Sequence, residues 1–215
     1  MKKSALLTLI TIIISVPLPL LFADSEGEYW NSYKASLNLN DHLTALVVPE
    51  FRFNNCLENY YTHIEIHIDW KIKKWISLCT NYRHIFTKKD NGWELEYRPN
   101  MDLVFIQSLE NFNLSNRSRI ELRIKNKDAS FRYRNKTSCK LSKITLLHIH
   151  PYIAEEFFYD FQVNKINKNR IYAGIEFPLG HKFGAIASYI LESNKREINW
   201  QDTNIVKLDL KYNIN

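Results

Sequence analysis

Hydrophobic and polar residues alternate strictly along much of this chain. In "THIEIHIDWKI" the residues Ile64, Ile66, Ile68, Trp70 and Ile72 share one face, while His63, Glu65, His67, Asp69 and Lys71 share the other. Side chains of an extended strand point alternately to opposite faces, so a period of two predicts a β-strand with one apolar and one polar side. The stretches "YKASLNLN", "ASFRYRNK" and "IVKLDLKYNI" repeat the pattern. "NRSRIELRIK" carries it furthest, with Arg117, Arg119, Glu121, Arg123 and Lys125 at every second position and Ile120, Leu122 and Ile124 between them. Weaker alternation marks strands over 43–53, 75–86, 93–109, 145–161, 171–177 and 183–191. No stretch carries a helical stripe of useful length. The spacing gives about eleven strands and predicts an all-β barrel or sandwich.

The first residues follow another rule. Met1, Lys2 and Lys3 precede the apolar run "ALLTLITIIISVPLPLLF", and Ala23 is a small residue suited to signal cleavage. Residues 1–23 are therefore expected to be a cleaved secretory signal and 24–215 the mature domain. Pro17 and Pro19 interrupt the run and no stop-transfer charges follow, unlike a membrane anchor. No later segment reaches the ~18 apolar residues of a membrane helix. An exported chain of this kind is either soluble outside the cytoplasm or a β-barrel in the outer membrane. Cys56, Cys79 and Cys139 are too few and odd in number for a disulfide framework, and spacing does not say whether any two pair. Without Lys2 and Lys3, 27 basic residues stand against 23 acidic ones, a mild positive excess.

The connections add a second regularity. Short segments ("LNDH", "KIKK", "ENFN", "KLSK", "LGHK") alternate with longer polar ones ("NNCLENYY", "TKKDNG", "KNKDAS", "VNKINKN", "SNKREINWQD"). Membrane barrels have short turns at one rim and longer loops at the other. Trp30, Trp70, Trp75, Trp93 and Trp200 fall near strand ends, where the aromatic girdles of such a barrel would lie. Bacterial single-chain barrels have even strand numbers, so eleven is expected to resolve into ten or twelve, with Pro99 and Pro151 marking strands wrongly split or joined. The expected fold is a single antiparallel up-and-down transmembrane β-barrel of ten to twelve strands.

Alternation alone does not say which face is inside. Arg117 to Lys125 spans roughly 26 Å at ~3.3 Å per residue, close to the ~25 Å apolar band of an outer-membrane barrel. Facing lipid, each of these charges would cost ~2–4 kcal/mol near the midplane, so in a membrane they have to face the lumen. An Arg/Glu network is expected there, drawn from Glu50, Arg52, Glu96, Arg98, Arg117, Arg119, Glu121, Arg123, Arg132, Arg134, Glu156 and Arg170, with Glu94 and Glu155 as further partners.

"LSNRSRIELRIK", "FRYRNK", "EEFFYDF" and "NRIYAGIEFPLG", in this order and followed by a closing alternating strand, resemble the bacterial domain of unknown function 2490 family. The likeness runs from about Trp30 to the C-terminus. It implies an outer-membrane barrel behind a signal peptide and brings no catalytic residues. The chain ends in Asn213-Ile214-Asn215, with Tyr212 its last aromatic, a departure from the terminal aromatic that the barrel assembly machinery reads.

Chemistry-bearing constellations are sparse. His148 and His150 would lie about 7 Å apart on one strand face and would need a third ligand to hold a metal. His63 and His67, roughly 13 Å apart along a strand, cannot share one ion. No G-x-S-x-G motif is present, and five glycines leave no phosphate-cradling loop. "SFRYRNK" has the charge and aromatics to bind single-stranded nucleic acid, a partner that export removes. Acceptor motifs for glycosylation at Asn113, Asn116 and Asn135 fall inside strands and read as chance. The sequence calls for no cofactor, no metal and no catalytic residue. Its expected partners are outer-membrane lipid, the barrel assembly machinery and a small anionic solute. The expected role is structural, or a narrow, weakly anion-favouring conduit. An outer-membrane enzyme acting on lipid or peptide, and a soluble periplasmic barrel binding an apolar ligand, are the alternatives.

Overall fold

A computed structural model describes residues 27–126, 128–142, 149–196 and 199–215. The expected signal over 1–23 and His148 lie outside the described residues. Eleven strands follow in order: β1 (Gly27–Asn38), β2 (Leu43–Phe53), β3 (Asn59–Lys73), β4 (Ile76–Lys89), β5 (Gly92–Ser108), β6 (Phe112–Lys125), β7 (Asp128–Leu141), β8 (His150–Asp160), β9 (Lys165–Pro178), β10 (Phe183–Arg196) and β11 (Asn199–Asn213). Each pairs with its sequence neighbour, and β1 closes the barrel on β11.

The closure corrects the expected parity. An up-and-down chain reverses direction at every turn, so with eleven strands the first and last run the same way. Their seam is accordingly parallel, from Gly27 opposite Asn204 to Ser36 opposite Asn213, while the other pairs are antiparallel. The prolines neither split nor merge strands. Pairing of β5 with β6 lapses at Arg98 and Pro99 and resumes in register, between Tyr97 opposite Ile124 and Asn100 opposite Glu121. A missing N–H removes a rung there and leaves the strand intact. Pro49 makes a similar gap between β1 and β2, and Pro151 sits at the start of β8.

Among the described residues the expected contrast between short and long loops is not found. Of the connections that are described throughout, one rim carries 39–42, 74–75, 109–111 and 179–182, and the other carries 54–58, 90–91 and 161–164. The polar segments read as loops are largely strand, since Lys88 still pairs with Trp93 and Lys195 with Trp200. Asn126, at φ 50°, and Gly92, at φ 114°, supply the left-handed conformations that tight hairpins need.

The polarity of the wall is inverted relative to a soluble barrel. On β3, Ile64, Ile66, Ile68 and Trp70 are exposed on the outside, whereas His63 and Glu65 are buried within. On β6, Ile120 points out while Arg119 and Glu121 are sealed inside. Among the described residues, buried polar and charged side chains outnumber buried apolar ones. Trp70 and Trp75 are exposed at one rim, and Trp93 and Trp200 at the other. Trp30 departs from the expected girdle: it is 2% exposed and lies inside. Its Nε1 donates to Glu28 at 2.7 Å, and the Arg52 and Arg170 guanidiniums lie 3.6 and 4.9 Å from its ring, so cation–π contact holds it in the lumen.

A small apolar core underlies the seam. Ile205, Ile190, Tyr172 and Ala154 are successive cross-strand partners from β11 to β8, packed with Trp30. On the outer wall of β6 and β7, Asn116, Ser118, Tyr133, Asn135 and Thr137 satisfy one another through hydrogen bonds. Glu155 also faces outward, accepting from Asn169 at 2.7 Å, and so is not the lumen partner that the sequence proposed.

Gly174, on the inner face of β9, explains one local constraint. A Cβ there would lie 2.5 Å from Tyr152 Cε1 and 2.8 Å from the Ala187 carbonyl oxygen. The latter belongs to the neighbouring ladder and cannot yield without disturbing it. Gly174→Ala is therefore expected to lower unfolding stability by about 1–3 kcal/mol in denaturant titrations. Gly184→Ala, whose nearest contact would be at 3.5 Å, should stay within about 0.5 kcal/mol of the parent.

Candidate functional site: an ion-paired lumen

Register decides which inward side chains meet. Glu192, Arg170, Glu156 and Lys136 are successive cross-strand partners on β10, β9, β8 and β7. Arg134, Arg119, Asp102, Cys79 and Asp69 form a second row from β7 to β3, and Arg132, Glu121, Asn100, Asn81 and His67 a third. Opposite charges thus fall beside one another on adjacent strands or within arm's length on the next row.

The pairs join into one network. Arg119 donates bidentately to Asp102, Nε to Oδ1 and Nη2 to Oδ2 at 2.6 Å each, and reaches Glu65 on β3 through Nη1 at 3.3 Å. Arg83 donates to the same Glu65 at 2.5 and 3.0 Å. Glu121, with no solvent exposure, receives Arg132 at 2.6 Å and Arg134 at 2.6 Å. Arg134 continues to Glu156 at 2.8 Å; Glu156 also accepts from Arg117 at 2.7 Å and from the Tyr172 hydroxyl at 2.8 Å. Arg170 lies 3.9 Å from Glu156 and donates to Glu192 at 2.5 Å. Two further groups flank this chain: Glu96 with Arg98 and Arg123 at 2.7 and 2.8 Å, and Glu50 with Arg52 and Lys207 at 2.7 and 2.9 Å. Phe158 is buried among Arg134, Arg170 and Arg132, whose guanidiniums lie 4.6, 4.9 and 5.2 Å from its ring.

All twelve residues proposed from the sequence face the lumen and lie in these groups. Glu94 pairs with Lys125 at 2.7 Å near the rim. Sequence reasoning missed Glu65, Arg83, Asp102, Lys168, Glu192 and Lys207. Glu65 and Lys207 lay on polar faces already recognised. Arg83 and Asp102 sit on strands whose alternation is interrupted, while Lys168 and Glu192 fall in or at the edge of segments that read as connections, so no periodicity marked them as inward. The cysteines are all free: Cys56 exposed, Cys139 half-buried and Cys79 buried in the lumen wall.

The network forms a layer between two vestibules. At the rim of the 90–91 turn, a cavity of about 250 Å³ is lined by ten cations, among them Arg52, Arg98, Arg132 and Arg170, and by one carboxylate, Glu96. At the opposite rim a cavity of about 850 Å³ reaches down to Asp102, Arg117 and Arg119. Between them Arg119, Glu121 and Glu156 are at most 2% exposed, so the middle of the barrel is filled by its own side chains. His67, Asp69 and Cys79, in the wall of the larger vestibule, are the described group with metal-ligand character.

Glu121 is shared by two guanidiniums, so its loss leaves buried cations facing each other. Removing one partner of a buried ion pair costs about 3–5 kcal/mol. Glu121→Gln should lower unfolding stability by about that amount in denaturant titrations. Adding Arg132→Gln should restore part of it, since the second change removes an uncompensated charge.

Comparison with protein families matches residues 27–203 to the family described as Protein of unknown function (DUF2490). Comparison with curated proteins finds no match. The match covers β1 to β10 and enters β11. The chain, an eleven-stranded closed β-barrel with an ion-paired lumen, belongs to the DUF2490 family of proteins of unknown function.

Proposed function

We propose that this chain is an outer-membrane barrel sealed by its own ion pairs, with a structural role in that membrane and no open pore. The observation that carries the reading is the inverted wall, with ionised side chains sheltered and isoleucines outside. A soluble protein rarely exposes a contiguous apolar surface beyond a few hundred Å², whereas lipid demands one. Even the shortest strands, of 11 residues, reach about 28 Å along the axis at ~3.3 Å rise and ~40° tilt, enough for a ~25 Å apolar band. Tryptophans exposed at both rims fit the two headgroup levels. The polar cluster on β6 and β7 is hydrogen-bonded within itself, the condition for tolerating such groups in hydrocarbon.

A second reading is a narrow anion-favouring conduit. The smaller vestibule supports it, because ten cations stand there against one carboxylate and fixed positive charge lowers the barrier for anions. Passage would require the Arg119–Glu121–Glu156 layer to part. The soluble alternative with an apolar ligand finds little in the lumen, since both cavities are lined mainly by charged and polar groups.

Folded protein should migrate faster in detergent gels before boiling than after, and should be silent in planar bilayers. Stable anion-selective steps would favour the conduit instead. Ile66→Arg separates membrane from water directly. In lipid vesicles it should cost about 2–4 kcal/mol of stability; on a water-facing wall it would change little, within about 0.5 kcal/mol. A chain that fractionates as soluble without detergent and shows no gel shift would overturn the membrane reading.

A further inference from the structure

We propose that His67, Asp69 and Cys79 form a site for one divalent ion of borderline softness, such as Zn²⁺, in the wall of the larger vestibule. The register builds it. His67 and Asp69 are two apart on the inner face of β3, and Cys79 on β4 is the cross-strand partner of Asp69. One patch of wall therefore presents an imidazole, a carboxylate and a thiol, with ligand atoms all within 4.8 Å of one another.

The spacing matches a tetrahedral ion. Cys79 Sγ lies 3.7 Å from His67 Nδ1. Bond lengths of ~2.3 Å to sulfur and ~2.1 Å to nitrogen at a tetrahedral angle set those two atoms about 3.6 Å apart. That edge is already present, and the Asp69 carboxylate, within 4.8 Å of both atoms, closes the third position by moving toward them. Unlike its neighbours Glu65 and Asp102, which are held by Arg83 and Arg119, Asp69 has no lysine or arginine nitrogen within 4.0 Å among the described residues. Its charge is available to a cation.

The outer shell is also in place. His67 Nε2 is buried without a hydrogen-bond partner and faces Glu65 Oε1 at 3.5 Å. An ion on Nδ1 fixes the tautomer that carries its proton on Nε2, aimed at that carboxylate. This is the carboxylate–histidine–metal arrangement that orients ligating imidazoles. On binding, Cys79 gives its proton to water and exchanges its contact with Asn81 Oδ1, at 2.7 Å, for the metal–sulfur bond. Thiolate and carboxylate together neutralise the ion. Sulfur and imidazole select a borderline metal over Ca²⁺ or Mg²⁺, and the fourth position opens to the vestibule, where water completes it. The site lies inside the barrel and does not depend on what surrounds the outer wall.

The test uses the folded mature chain in detergent with Co²⁺ as probe. Binding is expected at one ion per chain, with a thiolate-to-cobalt charge-transfer band and the intense visible absorption of tetrahedral cobalt, both displaced by Zn²⁺. The Cys56→Ser/Cys139→Ser double variant should keep the band and Cys79→Ser should lose it. Asp69→Asn, which disturbs no ion pair, should weaken Zn²⁺ binding about tenfold or more; circular dichroism checks that each variant is folded. The proposal fails if the folded parent shows no charge-transfer band. It fails equally if the band survives Cys79→Ser, disappears in the double variant, or if Asp69→Asn binds Zn²⁺ as the parent does.

Discussion

An ionised side chain confined away from water has to meet its opposite, and the interior of this barrel is arranged around that requirement. Desolvating a carboxylate or guanidinium costs several kcal/mol unless charge and hydrogen bonds replace the lost water. Here carboxylates are shared: Glu121 between Arg132 and Arg134, Glu156 between Arg117 and Arg134, Glu96 between Arg98 and Arg123. Sharing spreads each negative charge over two planar donors and links strands that are not neighbours, as Arg119 links β6 to β3. Eleven strands enclose more space than the about eight whose interior ordinary side chains fill. Long arginines that interlock with glutamates fill it without an apolar core of matching volume.

The same requirement shapes the aromatics and the seam. Trp30 and Phe158 are large enough to belong on an apolar wall, yet both lie among guanidiniums inside. Their faces offer partial negative charge where cations are in excess. Beneath the parallel closure of β1 on β11, the lumen changes character to the Trp30, Ile190 and Ile205 cluster. The seam, whose parallel pairing is slightly weaker per residue than antiparallel pairing, thus coincides with the part of the interior that is held by burial of apolar surface.

The two vestibules differ in chemistry because the network divides the lumen unevenly. Arg98, Arg123, Arg132, Arg134 and Arg170 line a cationic cup at the 90–91 rim, while Asp69, His67 and Cys79 on β3 and β4 face the other side. One end is suited to anions and the other offers a compact set of donors for a cation. A barrel closed at its middle can hold both without either neutralising the other.

Period-two alternation was enough to read the fold class, the approximate count of eleven strands and the sharing of one face by Arg117, Arg119, Glu121 and Arg123, because a strand's pleat is a local property. The alternation of "THIEIHIDWKI" likewise put Glu65, His67 and Asp69 on one face of their strand. Strand pairing was not legible there. Whether Arg119 meets Asp102 or Glu65 depends on the register of β5, β4 and β3, and a slip of one residue would reverse every face. Parity was misjudged for the same reason: direction alternates locally, but closure is a property of the whole ring, and only the tertiary structure could show β1 lying parallel to β11. Trp30 shows the limit most plainly, since its place near a strand end was visible in the chain while its cationic surroundings came from other strands, Arg52 on β2 and Arg170 on the distant β9.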